Sequence, residues 1–88
     1  KGFVADPTTV RLRVKPQVAY LFHEFQYHPS QQFAELDDGS LEVNLECSTG
    51  WGIEEWLLGF GEMVTVMEPE VLRRRIRERL LNSLEEYN

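Results

Sequence analysis

The sequence predicts a single α+β domain, a four-stranded antiparallel sheet with helices set between and after its strands. Two segments, Val10–Val14 and Leu41–Cys47, alternate apolar and polar residues strictly, and a side-chain period of two marks a half-buried strand. Three others repeat apolar residues every three or four positions, and two of them begin at a proline, as amphipathic helices do. The length of 88 residues suits one core, because a core needs about 50 residues and two would need roughly twice as many as one. With 42% hydrophobic and 11% aromatic residues, the chain has enough apolar surface to fold without a disulfide or metal staple.

Residues 1–7 read as a lead-in or linker, and 8–88 as the domain. In the first strand, Thr8 to Lys15, the residues Val10, Leu12 and Val14 share one face, and Arg11, Arg13 and Lys15 the other. Pro16 suits the first turn of a helix, where its missing N–H costs nothing, and Val18, Leu21, Phe22 and Phe25 follow at helical spacing. From Phe25 to Leu36 the pattern loosens and Pro29 interrupts it, which predicts an edge strand or a bent one, with a ladder broken near the proline. Asp37-Asp38-Gly39-Ser40 predicts a tight turn in which glycine takes a positive φ.

Leu41, Val43, Leu45 and Cys47 then alternate with Glu42, Asn44 and Glu46 as a third strand. Ser48 or Thr49 is the expected cap of a helix carrying Ile53, Trp56, Leu57 and Phe60, with Gly61 in the left-handed position that ends it. Met63 to Met67 reads as a short strand with Val64 and Val66 inward. Pro69 opens a last helix whose Leu72, Ile76, Leu80, Leu84 and Tyr87 form a stripe, and burial of Leu72, Ile76, Leu80 and Leu84 is expected. The order β-α-β-β-α-β-α is the ferredoxin-like split βαβ pattern with one added C-terminal helix. In that fold the strands lie 4-1-3-2, so the first and third are central, adjacent and antiparallel. Their charged alternates then share the open face, where Arg11, Arg13 and Lys15 meet Glu42, Asn44 and Glu46 and ion pairs contribute about 0.2–1 kcal/mol each.

Charge is strongly segregated beneath the net value of −6. Residues 1–23 carry +3, residues 24–70 carry −11 with no lysine or arginine, and residues 71–88 carry +2. An acidic body repels nucleic-acid backbones, which argues against a dedicated DNA-binding module. Arg11 and Arg13 have two readings: internal pairing or a protein contact on the sheet face, and an anionic-effector site. A base-stacking platform is excluded by the absence of outward aromatics on these strands. In the arginine run of 73–79, Glu70, Arg74 and Glu78 stand at ion-pairing spacing. That leaves Arg73 and Arg77, four residues apart, with two readings: a solvated helix face, or a grip on an acidic partner surface.

No catalytic or metal motif emerges, and no cofactor is expected. His23 and His28 lack a metal-ligand spacing and a second cysteine to join them, and Ser30 has no glycine-framed nucleophile turn around it. Cys47 falls on an inward alternate as core filler. Gly59 and Gly61 lie after a helix rather than before one, the wrong end for binding phosphate. Lys15-Pro16-Gln17 supplies none of the glycine-rich anion loop that an acylphosphatase-like enzyme would need. A single cysteine fits a reducing compartment, and with no apolar run of about 20 residues and no signal peptide the expectation is a soluble cytoplasmic domain without membrane contact. Lys1 at the start fits a processed or excised chain, with a parent protein expected upstream.

Five pieces in order carry a resemblance: Val10-Arg11-Leu12-Arg13-Val14, His28-Pro29-Ser30-Gln31, the Asp38-Gly39 hairpin, Trp56-Leu57-Leu58-Gly59-Phe60-Gly61, and Val66-Met67-Glu68-Pro69-Glu70-Val71-Leu72-Arg73. Together they resemble the C-terminal extension (WCX) domain of bacterial WYL-domain transcriptional regulators. The resemblance implies a non-catalytic regulatory and dimerisation domain that assists effector response. Its implied partners are its own WYL domain and a second subunit, with DNA read by a winged helix-turn-helix elsewhere in the parent. This chain contains neither a helix-turn-helix segment nor a Trp-Tyr-Leu motif, so no functional residue of those domains carries over. The other functional class left open is a small-molecule or anion-sensing domain of ACT-like form, holding its ligand near Arg11 and Arg13 at a subunit boundary.

Overall fold

Alternation builds β1 (Thr8–Val14) and β3 (Leu41–Cys47), and these two strands form the centre of one antiparallel sheet in register from Thr8 opposite Cys47 to Val14 opposite Leu41. A computed structural model describes residues 7–88, so the expected lead-in falls, apart from Pro7, outside the described residues. Strand β2 (Gln32–Glu35) pairs with β3 and strand β4 (Val64–Glu68) with β1, giving the order β2-β3-β1-β4 with every neighbour antiparallel. This is the expected strand order. Three helices accompany the sheet: α1 (Ala19–Glu24), α2 (Trp51–Leu58) and α3 (Glu70–Glu86).

Val10, Leu12 and Val14 from β1 and Leu41, Val43, Leu45 and Cys47 from β3 all face one core. Ala19 and Phe22 of α1, Ile53 and Leu57 of α2, Val64 and Val66 of β4, and Leu72 of α3 close over it. Burial also pushes the Cys47 thiol up from its ordinary pKa, as desolvation disfavours the thiolate. Helix α3 packs against β4 and α2, extending the helical layer.

Several expectations are corrected. The first helix opens as a 3₁₀ turn at Pro16–Val18 and stops at Glu24, so Phe25 leaves the helix with extended backbone and is exposed. Residues 26–31 form a loop, and the edge strand is only Gln32–Glu35. Gln31 explains the loop: its Nε2 donates to the carbonyls of Phe22 (3.3 Å) and Phe25 (3.2 Å), and its Oε1 accepts from the Tyr27 N–H (2.9 Å). One amide thus satisfies carbonyls that α1 leaves free at its end. Tyr27 lies flat on Trp56 of α2, ring centroids 4.1 Å apart, and Trp56 meets Phe22 and Phe60 edge-on.

His28 and Ser30 do meet, in a structural arrangement. The Ser30 N–H donates to His28 Nδ1 (3.1 Å), while Ser30 Oγ accepts the Glu46 N–H (2.8 Å) and lies 3.2 Å from the Glu46 carbonyl. The hydroxyl takes the place of a strand partner where β2 has not yet begun.

The turn before β3 forms as expected, with Gly39 at φ 88°. Asp38 Oδ1 accepts the Ser40 N–H (3.0 Å) and hydroxyl (2.5 Å), and these bonds hold the Asp38 carboxyl below its ordinary pKa. Helix α2 has no side-chain cap: Gly50 precedes it, and neither Ser48 nor Thr49 caps it. Gly61 has positive φ, 59°, but starts a 3₁₀ turn (Gly61–Met63) two residues beyond the cap at Gly59. Met63 belongs to that turn, and β4 runs from Val64 to Glu68.

Candidate interaction surfaces

The open face of the sheet carries the first charged constellation. Arg11 and Arg13 project there from β1, with Glu42 on β3. A register shift between Arg11 and Leu12 sets Arg11 opposite Glu68 of β4, where unbroken pairing from Leu12–Val66 would have set it opposite Met67. Arg11 consequently stands between two carboxylates, Nη2 at 2.7 Å from Glu42 and Nη1 at 3.5 Å from Glu68. The Glu42 hydrogen bond, with the charges of Glu42 and Glu68, raises the guanidinium above its ordinary pKa. Of the expected pairs between β1 and β3 only Arg11 with Glu42 forms among the described residues, and both pairs of Arg11 are partly exposed and screened by solvent. Arg13 is exposed and makes no ion pair among the described residues. At the β2 edge, His23 Nε2 of α1 lies 3.2 Å from Glu35 and its ring meets Phe33 edge-on.

The second constellation holds α3 to α2, and sequence reasoning missed it. Glu54 of α2 is 6% exposed. Its carboxylate accepts from Arg75 Nε at 2.5 Å and lies 3.4 Å from Arg79 Nη1. Arg79 also pairs with Glu55, and its guanidinium stacks 4.2 Å from the Trp51 ring centroid. Glu55 and then Glu54 hold Arg79 above its ordinary pKa. The contacts span 21 and 25 residues of sequence. The local signal was a run of arginines at i, i+4 spacing on a helix following an acidic one, which does not say which arginines turn inward.

The expected Arg73–Arg77 pair is split in role. Arg73 Nη1 donates to the Val66 carbonyl at 2.9 Å, satisfying an acceptor of the edge strand β4 and so blunting that edge toward further pairing. Arg77 makes no ion pair among the described residues. Both line a groove of about 270 Å³ whose apolar wall includes Leu57, Leu58, Ile76 and Leu80. The structure does not bring this pair together with Arg11 and Arg13, which lie on the sheet face. Arg74 pairs weakly with Glu70 at 4.0 Å, and no Arg74–Glu78 pair forms among the described residues.

The α3 stripe is only half buried, which corrects the expectation for its far end. Leu72 is fully buried and Ile76 packs against the core, but Leu80 is 45% exposed, Leu84 57% and Tyr87 87%. Leu81, on another side of the helix, is 46% exposed. The physical reason is length. At about 1.5 Å per residue, 17 residues make a helix near 25 Å long, whereas the five-residue β4 supplies a shorter floor, so the last two turns pass beyond it. Among the described residues no helix is long and apolar enough to cross a membrane.

These features define a small α+β domain with a four-stranded antiparallel sheet, a helical layer on one face and a long terminal helix. The chain belongs to the WCX domain family, whose model matches residues 6–84. Among curated proteins it is similar to Protein PafC of Mycobacterium tuberculosis (strains CDC 1551 / Oshkosh and ATCC 25618 / H37Rv), at 34% identity over 76 residues. That alignment covers 86% of this chain and 23% of the relative. Protein PafC of Mycobacterium leprae (strain TN) is 36% identical over 63 residues, 72% of this chain and 19% of the relative. The chain thus spans less than a quarter of the length of these relatives. The family and the relatives point to a transcription-related regulatory domain.

Proposed function

We propose that this chain is the non-catalytic C-terminal domain of a WYL-type transcriptional regulator, a ferredoxin-like split βαβ unit with an added helix, acting in the cytoplasm through association. Its partners are a second subunit and its own WYL domain, and its part in regulation is to set a geometry that an effector biases. DNA is contacted by a helix-turn-helix elsewhere in the parent. The strand order and membership in the WCX family support this reading, and one observation carries it. The last two turns of α3 leave Leu80, Leu81 and Leu84 in solvent beyond the edge of their own core, and exposed apolar groups that cluster mark an association surface.

The anion-sensing alternative draws less support. Arg11, the better placed of its two arginines, is already held between Glu42 and Glu68, so an incoming anion must displace carboxylates that cost nothing to keep.

Sedimentation velocity of the chain over a concentration series tests the reading. Reversible dimerisation is expected at about 100 µM, an affinity suited to an interface of modest size. Leu84→Asp, at an exposed position that leaves the core intact, is expected to sediment as a monomer throughout. A wild-type chain that remains monomeric across the series contradicts self-association.

A further inference from the structure

The groove beside Arg73 and Arg77 lies between α2, α3 and the outer edge of β4 at Val64–Val66. The Lys15 N–H donates to the Met63 carbonyl at 2.9 Å, and Val14 stands opposite Val64. Thr65 therefore makes the ladder bonds to β1, and the backbone groups of Val64 and Val66 turn away from it, toward the groove. Arg73 Nη1 takes the Val66 carbonyl at 2.9 Å. That bond closes the edge to an added strand and fixes the guanidinium at the rim. The other N–H groups of Arg73, and all those of Arg77, have no hydrogen-bond or ion-pair partner among the described residues. The two arginines stand about 6 Å apart along the helix, close enough for one carboxylate to meet both. Since α3 runs back along β4 from Arg73 at Val66, Leu80 lies toward the start of the strand, beside Glu62 of the preceding 3₁₀ turn. The one carboxylate that lines the groove is thus at the end away from Arg73.

We propose that this groove binds a compact amphipathic anion, a monocarboxylate with an unbranched apolar tail of about seven carbons. The volume of about 270 Å³ sets the size. At about 30 Å³ for each non-hydrogen atom, the share of a water molecule in the liquid, it holds about nine such atoms. Two arginines without a carboxylate partner set the charge, and the blocked edge of β4 excludes an extended peptide in favour of a small molecule. The carboxylate meets Arg73 and Arg77, and the tail lies over Ile76, Leu57, Leu58 and Leu80. A mostly apolar lining with a few converging polar groups is the general form of a small-molecule site. Arg11 offers no such place, being held between Glu42 and Glu68, whereas an anion arriving at Arg77 displaces no carboxylate. One copy supplies every wall, so the site is independent of self-association.

Titration of the isotope-labelled chain with sodium octanoate, followed through its amide NMR shifts, tests this. Saturable shifts are expected at Leu58, Val64 and Val66 and along Arg73–Leu80, with a Kd of about 1 mM, which suits a ligand of about ten non-hydrogen atoms. Acetate, which lacks the tail, and octanol, which lacks the charge, are each expected to bind about tenfold more weakly or less. Arg77→Ala, at an exposed position, is expected to weaken octanoate binding about fivefold, and Arg77→Lys, which keeps the charge, to retain most of it. Octanol binding as tightly as octanoate, or an Arg77→Ala variant that binds like the wild type, overturns the proposal, because apolar surface alone would then hold the tail. Saturable shifts confined to Leu81 and Leu84 or to the sheet face, or none at all, overturn it as well. Each of these results leaves the sedimentation test of self-association untouched.

Discussion

Leu12→Ala is expected to destabilise the domain by about 3 kcal/mol, enough to lower its melting temperature by roughly 12–24 °C. Leu12 sits in the middle of β1, flanked by Val43 of β3 and Val66 of β4 in register, and no part of it is exposed. Neighbours fixed by hydrogen bonds on both sides do not collapse into the vacated space, so the cavity adds to the lost transfer energy. The same truncation at Leu84, 57% exposed, is expected to change stability by no more than about 0.5 kcal/mol when measured under dilute, monomeric conditions. Urea denaturation separates the two, through a shifted midpoint at unchanged slope. Equal effects at both positions would mean that β1 is not the centre of the core.

The second large effect concerns a charge rather than a cavity. Arg75→Ala combined with Arg79→Ala removes both arginines from Glu54 and strands a largely buried carboxylate, and a clearly lowered urea midpoint is expected. Adding Glu54→Leu to that pair is expected to recover most of the loss, because an apolar side chain fills the site without needing a partner. The contrast decides the mechanism. If the triple variant is as unstable as the double, the loss comes from the other contacts of the arginines, Arg79 with Glu55 and Trp51, and not from a stranded Glu54.

What could be read in advance was what periodicity writes directly. The strict alternation of Val10–Val14 and Leu41–Cys47 fixes which face each strand buries, since a slip of one residue would place every apolar side chain in water. The two prolines and the turn glycine locate helix starts and the β2–β3 hairpin for reasons of φ alone. The loop after α1 escaped because its aromatics look like strand residues, whereas Tyr27 is held by stacking on Trp56, and Gln31 by carbonyls of α1. Glu54 looked like any solvated helix glutamate, since its partners come from a helix not yet positioned. The register shift that presents Glu68 to Arg11 arises from how β4 meets β1 and leaves no mark in the alternation of Val64 and Val66. The stripe on α3 was legible as a stripe, but periodicity does not record where the supporting strand runs out.

The central claim is that a second copy covers the far end of α3, and hydrogen exchange at two concentrations tests it most directly. Between about 5 and 500 µM, amides of residues 77–87 are expected to gain roughly threefold protection, the most that dimerisation at about 100 µM allows, while those of β1 and β3 stay unchanged. Exchange that is independent of concentration, or protection that appears instead on the open sheet face around Arg11 and Arg13, would contradict it.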